Sequence, residues 1–263
     1  MKFKPQNLFM FLFTIIAIVS LACSVDLYGT ATPAPASAQP AVATSTVQPT
    51  MDTTETLLPD QAYSGAQQYY TDEFDTTTNY WKYLVINGAK SQIVDGIVGL
   101  MSIRQVGGLL SFDLQGPGAW IYAIYQPYTY NDVRLDVEVG NRGSNNNNVS
   151  LICRKSDAGW YEFNIASNGL YEILYAKIQP DQTVSYTHIA DGGSARIKSG
   201  MAKNEYGIVC QGKTLSLYVN GTEARTLEEN KYLLPEGNVG VSVSSFRDVP
   251  VIVDFFWVKI SQP

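Results

Sequence analysis

Thr214-Leu215-Ser216-Leu217-Tyr218-Val219-Asn220-Gly221 decides the class of fold. A short strand-like run ends in Asn-Gly, the strongest two-residue hairpin signal because both positions tolerate positive φ, and a second strand-like stretch follows through Leu227. Asn168-Gly169 repeats the device between Trp160 to Ala166 and Leu170 to Lys177. Further strands are expected at Val133 to Val139, Val239 to Ser244 and Val251 to Ile260. No long segment has helical periodicity. Short strands at regular spacing, punctuated by Gly, Asn and Pro, read as an all-β, two-sheet antiparallel sandwich over residues 69–263.

The same residues carry a resemblance. Asp72-Glu73-Phe74-Asp75 with Asn79-Tyr80-Trp81 resembles the opening strand of concanavalin A-like lectin/glucanase jelly rolls. Cys153-Arg154, Trp160-Tyr161-Glu162-Phe163 and Asn168-Gly169 resemble their central hairpin. Leu217 to Gly221, Gly237 to Val241 and Phe255 to Val258 resemble their closing strands. The laminin G-like and keto-disaccharide-hydrolase-like members are the nearest in pattern. The resemblance implies a concanavalin-like jelly roll, and that superfamily hosts lectins, glycosidases and pure interaction modules alike.

Upstream, Lys2 and Lys4 precede an almost unbroken apolar run from Leu8 to Leu21, which ends in Ser20-Leu21-Ala22-Cys23. The run is short for a membrane span, which needs ~20 apolar residues, and suits a cleaved signal core. It resembles a bacterial lipoprotein signal. That resemblance implies a signal peptide over 1–22, lipid on the Cys23 sulfur, and a protein anchored on the extracytoplasmic face of a membrane in the cell envelope. Residues 23–68, rich in Ala, Thr, Pro and Ser, hold too little apolar mass to offset ordering and are expected to form a disordered linker. Its reach lies between roughly 40 Å as a coil and 130 Å fully extended.

The formal charge of −6 becomes −8 when Lys2 and Lys4 leave with the signal, since no acid lies in 1–22. With no Lys/Arg cluster, nucleic acid is not an expected partner. Besides Cys23, Cys153 and Cys210 remain as an even pair in what the export signal implies is an oxidising compartment, and each sits in a strand-like run. A disulfide is expected; two buried thiols or a reactive thiol are the alternatives.

Chemistry is sparse. Glycoside hydrolysis usually needs two facing carboxyl groups, and the Glu-x-Asp-x-x-Glu strand of this superfamily's glucanases is absent; Glu73-Phe74-Asp75 is the nearest approach. His188 is the only histidine and Gly-x-Ser-x-Gly is absent, so neither a multi-histidine metal site nor a marked serine nucleophile is present. No cofactor is expected; the Asn145 to Asn148 run could offer carbonyls to calcium, though it lacks clustered carboxylates and reads first as a hairpin loop.

Two features point to a ligand. Asp132-Val133-Arg134-Leu135-Asp136-Val137-Glu138-Val139 puts Arg134, Asp136 and Glu138 on one strand face, either a sugar-binding row or an ordinary solvent face. Trp120 and Tyr122 share a face, with Tyr128 and Tyr130 close behind in a chain of 17 Tyr and 4 Trp. Such rings suit apolar sugar faces, and equally a core or a protein interface. The first reading is therefore a lipid-anchored carbohydrate-binding module using Trp120, Tyr122, Tyr128, Tyr130, Arg134, Asp136 and Glu138. One alternative is a glycoside hydrolase or keto-disaccharide-hydrolase-like enzyme using Asp136 or Glu138 with Glu162. The other is an envelope protein-interaction domain without a small ligand.

Overall fold

The computed structural model describes residues 63–87, 92–95, 101–105 and 107–263. The expected signal segment, Cys23 and residues 24–62 of the expected linker lie outside the described residues. Regular structure among the described residues is entirely β. The first strands are β1 (Tyr70–Asp72), β2 (Trp81–Asn87), β3 (Gln92–Asp95), β4 (Met101–Gln105), β5 (Leu110–Leu114) and β6 (Ala119–Tyr125). Then come β7 (Val133–Asn141), β8 (Asn147–Ser156), β9 (Gly159–Ala166), β10 (Leu170–Ile178) and β11 (Val184–Gly193). The last are β12 (Asn204–Gln211), β13 (Thr214–Val219), β14 (Thr222–Glu228), β15 (Asn238–Ser245) and β16 (Val251–Ser261).

They form two antiparallel sheets. The first has the order β14-β13-β12-β7-β16-β5-β4, with β1 added along β16; the second has the order β11-β10-β9-β8-β15-β6-β2-β3. Asn220 (φ 48°) and Gly221 (φ 76°) close the β13–β14 hairpin with the two left-handed residues that its turn requires. Expected strands and found strands agree to within two residues at each end over β7, β9, β10, β15 and β16.

Between the sheets lies one continuous apolar core. Strand β7 shows how it is built: Val133, Leu135, Val137 and Val139 are buried there, while Arg134, Asp136 and Glu138 point outward. Cys153 of β8 and Cys210 of β12 are bonded, with 6.6 Å between their Cα atoms, so the disulfide staples the second sheet to the first through the core. It closes a separation of 57 residues, for which the chain-entropy model gives about 4 kcal/mol of stabilisation.

The opening motif has a mechanical explanation. The Trp81 indole donates to Asp72 Oδ2 (2.8 Å) and the Phe74 amide to Asp72 Oδ1 (3.0 Å), so one carboxylate seats both buried rings at the sandwich edge. Residues 63–68, at the end of the expected linker, lie against the sandwich under four phenols. Tyr80 donates to the Ser64 carbonyl (2.9 Å), Tyr128 to Ala66 (3.2 Å), Tyr125 to Gln67 (2.8 Å) and Tyr130 to Gln68 (2.7 Å).

Candidate binding face of the second sheet

The outward face of the second sheet is built unlike an ordinary solvent face. On β6, Ile121, Ala123 and Tyr125 enter the main core, while Trp120, Tyr122 and Ile124 turn to the other side. There they meet Leu84 and Ile86 of β2, Ile152 of β8, Trp160 of β9, Ala176 of β10 and Tyr186 of β11, forming a second apolar cluster.

Two hydrogen bonds show that this face is concave. Tyr122 of β6 reaches Glu162 of β9 (3.0 Å), although β15 and β8 lie between. At ~4.8 Å per strand, a flat sheet would hold those strands about 14 Å apart, beyond what a Tyr and a Glu leaning toward each other from upright positions would span. Tyr122 also meets Tyr186 of β11 hydroxyl to hydroxyl (2.7 Å), across five strand spacings. The sheet must curl toward this side to allow either bond. Small residues make room for it: Gly240 and Ser242 of β15 and Ser150 of β8 lie in the rows between the two anchors.

Glu162 sits at the centre with no solvent exposure. Its Oε2 accepts from the Tyr122 hydroxyl (3.0 Å) and the Trp160 indole (3.0 Å), and its Oε1 from the Ser150 hydroxyl (2.8 Å). Burial raises the carboxyl above its ordinary range; the three donors pull the other way and the nearby Glu172 adds to the rise. Burial likewise pushes the Tyr122 and Tyr186 hydroxyls up. The neighbouring Ser242 hydroxyl is buried without a partner among the described residues.

This plug divides two clefts. One, of about 240 Å³, is lined by Asn148, Asn164, Glu172 and Asp191 together with Leu170 and Tyr171. The other, of about 570 Å³, is lined by Lys82, Gln126, Lys155, Asp157, Gln182 and Asn238. Trp120 stands half-buried at the rim, edge-on to Phe246 at 6.4 Å.

The seven expected ligand residues thus fall in three places. Trp120 and Tyr122 share the concave face, as the sequence implies, but Tyr122 is sealed at 1% exposure with its hydroxyl committed to Glu162 and Tyr186. Tyr128 and Tyr130 hold the N-terminal segment. Arg134, Asp136 and Glu138 lie on the outward face of the first sheet, with the core between them and Glu162. Pairing Asp136 or Glu138 with Glu162 as acid and base is therefore excluded: sheets packed ~10 Å apart with both sets pointing outward place them far beyond the 5–9.5 Å that hydrolysis uses. Tyr186, Glu172, Asn164 and Asp191 escaped the sequence reading, although the alternation Trp160-x-Glu162-x-Asn164 marks a single strand face. His188 pairs with Asp191 at 2.8 Å on exposed surface. No group of three or more His, Cys, Asp or Glu side chains placed to hold a metal occurs among the described residues, and the Asn run is partly strand, with Asn147 and Asn148 opening β8.

No family model and no curated protein matches the sequence. Solved structures do match the fold. A family 16 glycoside hydrolase of Bacteroides ovatus, in complex with a mixed-linkage glucan product, superposes with a TM-score of 0.53 at 11% identity, covering 73% of this chain and 99% of that one. A protein with a galectin-like fold from Bacillus subtilis gives 0.53 at 8% identity, covering 73% and 94%. A lichenase from a mouse hindgut metagenome gives 0.51 at 12% identity, covering 75% and 100%. At such identities the likeness speaks for architecture, and the two antiparallel sheets with these neighbours make the described domain a concanavalin-like jelly roll.

Proposed function

We propose that this chain is a lipid-anchored, extracytoplasmic module that binds carbohydrate along the concave face of its second sheet. The observation that carries the reading is the face itself: an aromatic centre with Trp120 at its rim, flanked by two clefts whose walls mix amides, carboxylates and lysines with apolar side chains. Carbohydrate offers what such a face can bind, apolar ring faces for indole and phenol and a fringe of hydroxyls for amides and acids. The glycan complex of the Bacteroides ovatus neighbour supports the reading by analogy of fold. Binding is favoured over hydrolysis because Glu162, the acid at the centre, is fully buried and spends its oxygens on three protein donors.

The test uses the intact protein and a panel of soluble β-glucans, mannans and galactans in affinity electrophoresis. Binding should persist in high salt, since apolar stacking is screened far less than exposed ion pairs. Trp120→Ala should weaken it by at least ~1 kcal/mol with the fold intact, a magnitude typical of a stacked aromatic. Product release from the panel would favour the hydrolase instead, and neither binding nor cleavage would favour a protein-interaction domain. The anchor has its own assay: Cys23→Ser should abolish incorporation of labelled fatty acid and release the protein from membranes. Membrane retention unchanged in that variant, with no lipid mass on the native N-terminal peptide, removes the anchor from the proposal.

A further inference from the structure

The outward face of the first sheet carries a construction that the concave face does not explain. On β16 the register shifts between Phe255 and Trp257: Phe255 pairs with Val139, Trp257 with Glu138 and Val258 with Val137. Phe255 and Val258 are fully buried in the core, so Phe256 is the extra residue of a bulge, and the bulge turns both Phe256 and Trp257 outward. Regular alternation would have sent one of them inward. Phe256 lies beneath the Lys203 ammonium, 3.3 Å from the ring centre. Trp257 forms one wall of a pocket of about 220 Å³.

The rest of that pocket is equally specific. Arg134 grips Asp136 with two parallel bonds, Nε to Oδ2 and Nη2 to Oδ1, both 2.7 Å. The guanidinium also rests on the Tyr218 ring at 4.7 Å, so its plane is fixed from beneath. Beside them, Gly207 interrupts the middle of β12, where a glycine costs roughly 0.5–1 kcal/mol relative to alanine. A Cβ at Gly207 would overlap Asp136 Oδ1, so the glycine is what lets the carboxylate lie flat against the sheet. The partly buried, bidentate pair adds some stability of its own, but that contribution requires neither the bulge nor the outward Trp257 beside it.

We propose that this pocket is a second binding site, separate from the concave face, for one neutral hexopyranose unit of a glycan. Charge selects the class: Arg134 and Lys259 are balanced by Asp136 and Glu205, so the lining holds no excess cation for a phosphate or sulfate and no excess acid for a metal or amine. Size selects one ring, because the volume falls below the roughly 300–1,000 Å³ of larger ligand sites. Chemistry completes it. Asp136 keeps free acceptor positions and Arg134 keeps free donors, side by side, matching two adjacent hydroxyls of a pyranose, while the Trp257 indole takes the apolar ring face. With a glycan groove on the opposite face, one molecule could then join two strands of polysaccharide.

Saturation-transfer NMR on the intact protein, with methyl β-d-glucopyranoside, methyl β-d-galactopyranoside and methyl α-d-mannopyranoside as probes, tests the site. At least one glycoside should bind, and Trp257→Ala should weaken it at least ~5-fold, the equivalent of about 1 kcal/mol. Asp136→Asn and Gly207→Ala should do the same, the second by displacing the carboxylate without removing any polar group. Trp120→Ala should leave monosaccharide binding unchanged while reducing polysaccharide binding, so the two faces fail independently. If Trp257→Ala does not fold, Asp136→Asn on the surface decides. Absence of binding by all three glycosides, or binding indifferent to Asp136→Asn and Gly207→Ala, overturns the proposal.

Discussion

Glu162 is the residue whose replacement tests most of this structure at once. Its oxygens accept from Tyr122, Trp160 and Ser150, and it has no access to solvent. In Glu162→Ala the Trp160 indole and the Ser150 hydroxyl lose these bonds, whereas Tyr122 keeps Tyr186. A buried donor left unsatisfied costs about 1–3 kcal/mol, so two cost roughly 2–6 kcal/mol before any water enters the gap. Glu162→Gln behaves differently. The amide oxygen can take both ring donors and the amide nitrogen can donate to Ser150, so the three contacts are kept and no charge is buried, at the cost of the acceptor that the Ser150 hydroxyl had. Its stability at neutral pH should lie well above that of Glu162→Ala.

The pH dependence separates the two effects. Burial raises the native carboxyl above the unfolded value of about 4.3. Between those two values the folded state holds more protons than the unfolded state, so this group's contribution falls as pH rises through the window and is level above it. Urea denaturation from pH 4.5 to 8 should show that decline in the native protein relative to Glu162→Gln, whose curve lacks this component. A Glu162→Gln variant as unstable as Glu162→Ala at pH 7, or a difference between native and Glu162→Gln that is independent of pH, would refute the picture of a carboxyl sealed against its own ionisation.

Two further outcomes follow from the fold. A non-reduced digest should contain the peptides of Cys153 and Cys210 joined, and Cys153→Ala should cost about 4 kcal/mol on the chain-entropy model; quantitative thiol labelling of both in denatured, unreduced protein would rule out the bridge. Tyr125→Phe with Tyr130→Phe removes two of the four phenols over residues 63–68, at ~0.5–1.5 kcal/mol each, and should raise amide exchange in that segment while the β7 amides stay protected. Unchanged exchange at residues 63–68 would show that packing, not the phenols, holds the segment.

Most strands from β7 onward were legible because their causes are local. Asn220-Gly221 names its own turn, and the alternation of Val133 to Val139 names its own buried face. The pairing of Cys153 with Cys210 was readable by elimination, since only two cysteines remain after Cys23. The candidate site was legible only in pieces. Trp120, Tyr122 and Arg134 through Glu138 drew notice as residue types, yet period two says only that neighbours alternate, not which sheet a strand joins. Strand β7 sits in one sheet and β6 in the other, so two rows that are close in sequence lie on opposite faces of the sandwich.

What the sequence determined by itself was therefore the class of the fold, most strands from β7 onward, the buried face of β7 and the expectation of a tethered, exported domain. The tertiary structure alone decided which side chains meet. Tyr122 and Glu162 are 40 residues apart and touch because the second sheet curls over small residues at Ser150, Gly240 and Ser242. Trp257 faces outward because one bulge shifts the register of β16. Curvature and register are properties of many strands packed together, set by the sum of pairings around a core, and no short stretch of sequence carries them.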